Sequence, residues 1–188
     1  MSGEANMRED AEALSAMADG SMPPTLRLFQ FSEPTVTYGR LQDRDSIRAL
    51  APTGWPIARR PTGGGIVLHQ KDQCFSLCWR PGTAPLPKSP KAIYGWIHRA
   101  VHEALRPLLD TRLAFCQDAD SYNSAPFNKR LCFKEPVGYD LLSGDQKVLG
   151  GALAVQRSAV LYQGSLQLKD LSIPNDVLLH ALQSILHD

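Results

Sequence analysis

The chain has 188 residues, with 20 lysines and arginines against 19 aspartates and glutamates, a formal net charge of +1, and 43% hydrophobic residues. That length holds one domain with a real core, residues 1–188, and excludes two full-sized ones, while the near-neutral charge excludes a bulk field for nucleic acid or anionic membrane, so ligand recognition must be local. No apolar run approaches the roughly 18 residues that span a bilayer, and the opening "MSGEANMRED" is polar and acidic, so a cytoplasmic protein is expected.

In chain order, "EANMREDAEALSAMA" places Met7, Ala11, Leu14 and Ala18 on one helical face from Glu4 to Ala18, and "DGSMPP" ends the segment. "TLRLFQF" and "TVTYGR" alternate or are β-branched, and read as two strands joined by the turn "SEP". "QCFSLCWR" puts Phe75, Leu77 and Trp79 on one strand face and Cys74, Ser76 and Cys78 on the other. The proline-rich 80–90 stretch is expected at the surface. Ser89 then caps a helix with Pro90 at its first position, and Ile93, Ile97, Ala100, Val101, Ala104, Leu105 and Leu108 form its buried stripe. His98 and His102 share the spacing of a two-histidine metal site, but with no third ligand they are read as a solvated face.

The polar 117–130 stretch has no periodicity and is expected to be a mobile cover over a ligand site. "VGYDLLSG", "KVLGGALAVQ" and "AVLYQGSLQL" follow as three strands with short turns. Val177, Leu178, Leu182, Ile185 and Leu186 mark a final helix. The order predicts an α/β domain on a mixed or largely antiparallel sheet. The four cysteines at 74, 78, 116 and 132 fit no zinc-ribbon or CxxC spacing and are expected as reduced thiols, Cys74 and Cys78 in the core.

Three stretches carry chemistry. In "RRPTGGGIVLH", three adjacent glycines expose backbone, which can cradle an anion, let an elongated ligand lie close, or simply make a hairpin turn, with Arg59 and Arg60 beside it. In "QKVLGGAL" a lysine precedes two glycines inside a strand, where glycine marks a bulge or close approach. In "LCFKEPVGYDL", Cys132 lies near Lys134 and, on a neighbouring strand, Lys147. A cysteine beside cations holds more of the nucleophilic thiolate, although a buried thiol beside surface lysines would read the same way.

Taken together these stretches resemble a known family. "RRPTGGGIVLH" is similar to the RRxTGGGxVxH signature of lipoate-protein ligases and octanoyltransferases, "KVLGGAL" to KxxGSAQ, "LYQGSL" to the segment after it, "VTYGRLQ" to a Gly-Arg-x-Gln strand end, and "NMREDAEAL" to the opening helix. The motifs fall in family order over about residues 5 to 168. The resemblance implies the α/β fold shared with biotin ligases and class II synthetases. It also implies a narrow tunnel for an eight-carbon acyl chain and no metal ligand. Substrate contacts are expected at Arg40, Arg60, Thr62, Gly63, Gly64, Gly65 and His69, and at Gly150, Gly151, Ala152, Gln163, Gly164 and Ser165.

Two chemistries divide this family. Ligases activate lipoate with ATP and magnesium, without a protein nucleophile. One octanoyltransferase branch takes the acyl group from an acyl carrier protein thioester onto a cysteine and passes it to a lysine of a lipoyl-domain protein. "CFKEPVGYDL" resembles that branch's CFxxPSxYE stretch, which puts Cys132 at the nucleophile and Lys147 at the lysine that activates it. The expected function is therefore cysteine-dependent acyl transfer needing no cofactor. An ATP-dependent ligase is the alternative, and a non-catalytic binder the third reading. Leu153, Gly151 and Gln163 depart from the motif glutamine, serine and histidine.

Overall fold

The computed structural model describes residues 1–82, 87, 89–109, 112–117, 131–168 and 173–187. Most of the proposed 117–130 cover lies outside the described residues. The elements are α1 (Gly3–Asp19), β1 (Thr25–Phe29), β2 (Thr35–Tyr38), α2 (Arg44–Leu50), β3 (Ile57–Arg59), β4 (Val67–His69), β5 (Gln73–Trp79), α3 (Pro90–Leu105), β6 (Leu113–Phe115), β7 (Leu141–Ser143), β8 (Gln146–Gln156), β9 (Ala159–Leu166) and α4 (Asn175–His187). A six-stranded sheet in the order β1-β5-β9-β8-β7-β6 pairs antiparallel throughout. A second sheet, β3-β2-β4, has one parallel pair. This is the mixed, largely antiparallel α/β architecture expected. Among the described residues no helix is long and apolar enough to cross a membrane.

Strand β5 is buried on both faces, and its alternation decides what packs where. Phe75, Leu77 and Trp79 join Ile97, Val101 and Leu105 of α3 and Leu178 and Leu182 of α4 in the main core. Cys78, on the opposite face, packs with Leu14 and Met17 of α1 and with Leu161. Each such aliphatic or aromatic side chain contributes about 1.5–3 kcal/mol when fully buried. Local signals set the helix ends: Ser2 and Ser89 cap α1 and α3 by accepting from the N–H of Ala5 and Ala92, and Gly20 closes α1 at φ 78°.

The strands β1 and β2 belong to different sheets, because the turn between them sends the chain across to β4 and β3. Three expectations change. The inner face of α1 is rotated: Ala11 is exposed, while Asn6 and Asp10 are buried because Arg27 of β1 donates to both. Leu108 lies in a 3-10 turn past α3 and is exposed rather than part of its stripe. His98 is not on a solvated face at all. It is fully buried, with Nδ1 2.8 Å from the Tyr139 carbonyl oxygen and Nε2 2.6 Å from the Tyr162 hydroxyl. His102 is half-buried against the Phe115 ring.

That environment fixes the protonation of His98. Its Nδ1–H donates to the carbonyl and its Nε2 accepts from the tyrosine, which a neutral imidazole does best. Burial accordingly lowers its pKa from 6.5 to about 3, with the nearby Lys147 charge acting in the same direction and the carbonyl hydrogen bond opposing both. Between those values the unfolded chain binds a proton that the native chain refuses, so stability falls as pH drops through the window. Urea unfolding from about pH 6.5 to about pH 4 should lose up to about 1 kcal/mol per unit more in the wild type than in His98→Gln. Parallel pH profiles for the two proteins would remove His98 from that role.

Candidate active site

The candidate site is built where the chain returns to the glycine run. Leu131 bridges to Ile66 in parallel, and the Cys132 N–H donates to the Ile66 carbonyl at 2.8 Å. Lys147, near the start of β8, is buried, and its Nζ stands 2.7 Å from Asp140 Oδ2, 3.0 Å from the Cys132 carbonyl oxygen and 3.5 Å from Cys132 Sγ. Asp140 is fully buried, and accepts from the Tyr94 hydroxyl at 2.5 Å and from the Val137 N–H at 2.7 Å. The Tyr94 oxygen in turn accepts from the Gly151 N–H at 3.0 Å. Burial alone would discharge Lys147, but the Cys132 sulfur and the Asp140 carboxylate reverse that and raise its pKa above the ordinary value. The amine is therefore held as an ammonium beside a half-buried thiol.

Glycine at 150 is what makes room for this. A Cβ there would stand 2.3 Å from Lys147 Cε and 2.7 Å from Nζ. In the first glycine run, Gly64 has φ 85°, a conformation that side chains rarely adopt. The Arg60 guanidinium is buried between the run's carbonyls, donating to Gly63 O at 2.9 Å and Gly65 O at 2.6 Å. The Gly63 and Gly65 carbonyls thus turn toward Arg60, while the Gly64 carbonyl lies against Gly39. Among the described residues, no acceptor engages the N–H groups of Gly63, Gly64 or Gly65.

Between the two glycine segments runs a narrow, largely apolar cavity. Met7, Phe29, Phe31, Val67 and Phe133 supply apolar wall, and Cys132 lies on it. A hydrogen-bonded polar wall completes it. Arg60 donates to Thr37 Oγ1 at 2.8 Å, and Thr37 Oγ1 lies 2.7 Å from His69 Nε2. The carboxylate of Asp72, its Oδ2 2.6 Å from His69 Nδ1, can only accept, so Nδ1 carries the ring proton and in the neutral ring Nε2 accepts from the Thr37 hydroxyl. Asp72 Oδ2 also accepts from Ser165 at 2.6 Å and from the Cys74 thiol at 3.2 Å. His69, Asp72 and Cys74 offer donor atoms within 4.8 Å of one another, but a cation there would have to displace the His69 proton from Asp72.

The expected residues divide by place. Arg60, Gly64, His69 and Cys132 line the cavity from one side, and Gly150, Gly151, Ala152, Gln163, Gly164 and Ser165 from the other. Thr62 stands behind, donating to Gln163 Oε1 at 2.6 Å. Gly63 and Gly65 serve as acceptors for Arg60. Arg40 does not reach the cavity and is exposed in a neighbouring cleft. Cys74, expected as plain core, is buried but faces the cavity, because a carboxylate and an imidazole meet it there. Sequence reasoning missed Asp140, Tyr94, Asp72 and Asp10. Asp140 had a signal, since it stands next to last in the quoted "CFKEPVGYDL" stretch, and Asp72 lies three residues past the histidine of the glycine motif.

The comparisons with known proteins converge on this architecture. A sequence model of the lipoyl protein ligase A/B catalytic domain matches residues 2–185. The chain belongs to that family. An octanoyltransferase LipM of Kyrpidia tusciae is 30% identical over 167 residues, 87% of this chain and 61% of that protein. The chain thus spans about three-fifths of the length of the curated relatives it matches. Among solved structures, protein Ta0514 of T. acidophilum with bound lipoic acid has TM-score 0.69 at 20% identity, covering 100% of this chain and 82% of its own. Lipoate-protein ligase A bound with ATP has TM-score 0.65 at 22% identity, with coverage of 100% and 86%. These two establish the lipoate-ligase fold.

Within this lipoyl ligase family chain, Gly150→Ala separates room from stability. The clashing atoms are the end of a flexible side chain, so the strand stays and the ammonium leaves its seat. Circular dichroism should be unchanged, while alkylation of Cys132 by iodoacetamide at neutral pH, followed by peptide mass, should slow about tenfold. An unchanged alkylation rate would mean that the Lys147 position does not matter to the thiol.

Proposed function

We propose that the chain is the catalytic part of an octanoyltransferase acting in protein lipoylation. In this reading it takes an octanoyl group from an acyl carrier protein thioester onto Cys132 and delivers it to a lysine of a lipoyl domain. The observation that carries the reading is the Cys132 sulfur 3.5 Å from the buried Lys147 ammonium, on the wall of an apolar cavity framed by both glycine segments. The octanoyltransferase names of its relatives support it. The acyl chain lies in the cavity and gains about 0.8 kcal/mol for each CH₂ it buries.

In the first half-reaction the Cys132 thiolate, in ion-pair range of Lys147, attacks the thioester carbonyl. A new C–S bond forms, the carrier's C–S bond breaks, and the carrier leaves as a thiolate that takes a proton from solvent. The N–H groups of Gly63 to Gly65 and the Lys147 ammonium are the donors at hand for the oxyanion. In the second, the neutral ε-amine of the acceptor lysine attacks the acyl-enzyme, the amide forms, and Cys132 departs as thiolate beside Lys147 again. The amine's surplus proton goes to solvent. A thioester is already activated, so this route uses neither ATP nor metal.

The lipoate-ligase reading rests on fold likeness to a ligase bound with ATP. The two are told apart by mixing the protein with octanoyl-carrier protein without ATP and weighing it intact. An octanoyl adduct that is absent in Cys132→Ser, and that moves to an added lipoyl domain, is the expected result. Cys132→Ser should lose more than about 10³-fold in transfer rate, and Lys147→Met about 10²- to 10³-fold. A lipoyl-domain product that needs ATP and free octanoate and survives Cys132→Ser would make it a ligase. No product by either route would leave a binding protein.

A further inference from the structure

Next to the acyl cavity, and sharing Met7 and Arg60 with it as a common wall, lies a second cleft that opens to solvent. Its lining includes five arginines, Arg8, Arg40, Arg44, Arg59 and Arg60, against one glutamate, Glu4. A chain of net charge +1 does not concentrate arginine there by composition alone. The arginines come from four separate places in the sequence: α1, the end of β2, the start of α2, and β3 with the residue after it.

Their state of pairing matters more than their number. Arg59 is spent locally, its guanidinium donating to the Arg40 carbonyl, which ties β3 to the β2 end. Arg60 is spent on the glycine loop and Thr37. Arg8 meets Glu12 only at 3.9 Å, with both side chains 72% exposed, a pairing worth little in water. Arg40 and Arg44 are exposed, and among the described residues neither guanidinium has a hydrogen-bond or ion-pair partner. The nearby acids do not neutralise them: Asp43 is occupied as the cap of α2, accepting from the Ser46 N–H, and Asp45 and Glu4 are exposed to water.

We propose that this arginine-walled cleft docks the protein that carries the acyl thioester, by gripping the phosphodiester that joins the thioester arm to its carrier and the acidic surface around it. This rests on the acyl-transfer reading above. A planar guanidinium fork matches a phosphate or carboxylate in pairs of hydrogen bonds, which a lysine-lined cleft would not do as well. The shared Met7 and Arg60 wall sets the grip immediately beside the acyl cavity. The phosphate end of the arm stays among free arginines while its thioester end reaches the apolar slot and Cys132. Specificity for a carrier-borne acyl group over a free acid then lies outside the cavity.

The test uses Arg8→Glu/Arg44→Glu, which reverses two exposed charges outside the cavity and leaves the capped first turn of α2 with a favourable acid. In a Cys132→Ser background, where no acyl transfer to sulfur occurs, binding of octanoyl-carrier protein is measured by fluorescence anisotropy. The double reversal should weaken it at least about tenfold, and raising salt from about 50 to about 500 mM should weaken only the protein with intact arginines. In the Cys132 background, the acylation rate from octanoyl-pantetheine, which has no phosphate, should match that of the unreversed protein. Carrier binding unchanged by the reversal overturns the proposal. So does an equal loss with carrier and pantetheine substrates, or a loss confined to the reaction of ATP with free octanoate, which would assign the cleft to a nucleotide. Failure of Cys132 to acylate from either thioester would instead sink the acyl-transfer reading, and carrier binding would still decide the docking site.

Discussion

The ion pair between Lys147 and Asp140 is the constraint around which this site is built. Two charges removed from water cost several kcal/mol each unless their remaining hydrogen-bonding capacity is filled. Here it is filled from four directions: Cys132 supplies a carbonyl and a sulfur to the ammonium, while Tyr94 and the Val137 N–H supply donors to the carboxylate. Fitting so much around a lysine on a strand requires the backbone to yield. It yields at Gly150, which has no side chain to block the lysine, and at a register shift between Leu141 and Leu142 where β7 meets β8. It yields again at Tyr139, just ahead of Asp140, with φ 72°, a rare conformation for an aromatic residue. Such departures persist only where the surroundings over-determine them.

Two hydrogen-bonded systems face the same cavity and have opposite character. Around Lys147 the system delivers a positive charge to the sulfur at the cavity wall. Around Asp72 it gathers the donors of His69, Ser165 and Cys74 onto one carboxylate and holds that carboxylate below its usual range against the cost of burial. Strand β9 supplies to the cavity wall Ser165, which reaches Asp72, and Gln163, which ties Asp10 of α1 to Thr62 of the glycine loop. Helix α1, the glycine loop and the central sheet are thereby locked into one frame. The polar side chains named here on the cavity wall are thus already paired with one another, which is the condition for an apolar group to gain from burial against them.

What the sequence disclosed and what it hid follow the range of the interactions concerned. Helix limits were legible because caps are local: Ser89 followed by Pro90 needs no distant partner. The glycine motifs and Cys132 with Lys147 were legible through motif resemblance, which carries long-range proximity that spacing alone does not. The rest depended on partners far along the chain. Nothing near His98 says that Tyr139 and Tyr162 will close over it. Asn6 and Asp10 look like solvent-facing residues of an amphipathic helix until Arg27, Ser76 and Gln163 arrive to satisfy them. Alternation marked β1 and β-branched residues marked β2 as strands, but neither signal says which sheet a strand joins.

The cavity presents two thiols, and physical chemistry separates them. Cys74 is fully buried, and burial together with the Asp72 carboxylate pushes its pKa well above that of a free thiol, so its proton is committed to that carboxylate and it is a poor nucleophile. Cys132 is partly exposed, with an ammonium rather than a carboxylate as its neighbour. Negative charge on the Cys132 sulfur has a partner in Lys147, whereas at Cys74 the same charge would face the buried Asp72 carboxylate. Under the proposed acyl-transfer reading, exchanging the two environments would leave the accessible sulfur without its activating charge. In that reading the sign of the charge beside the accessible sulfur is what separates transfer from mere binding, and Asp140 secures that sign by holding Lys147 in place.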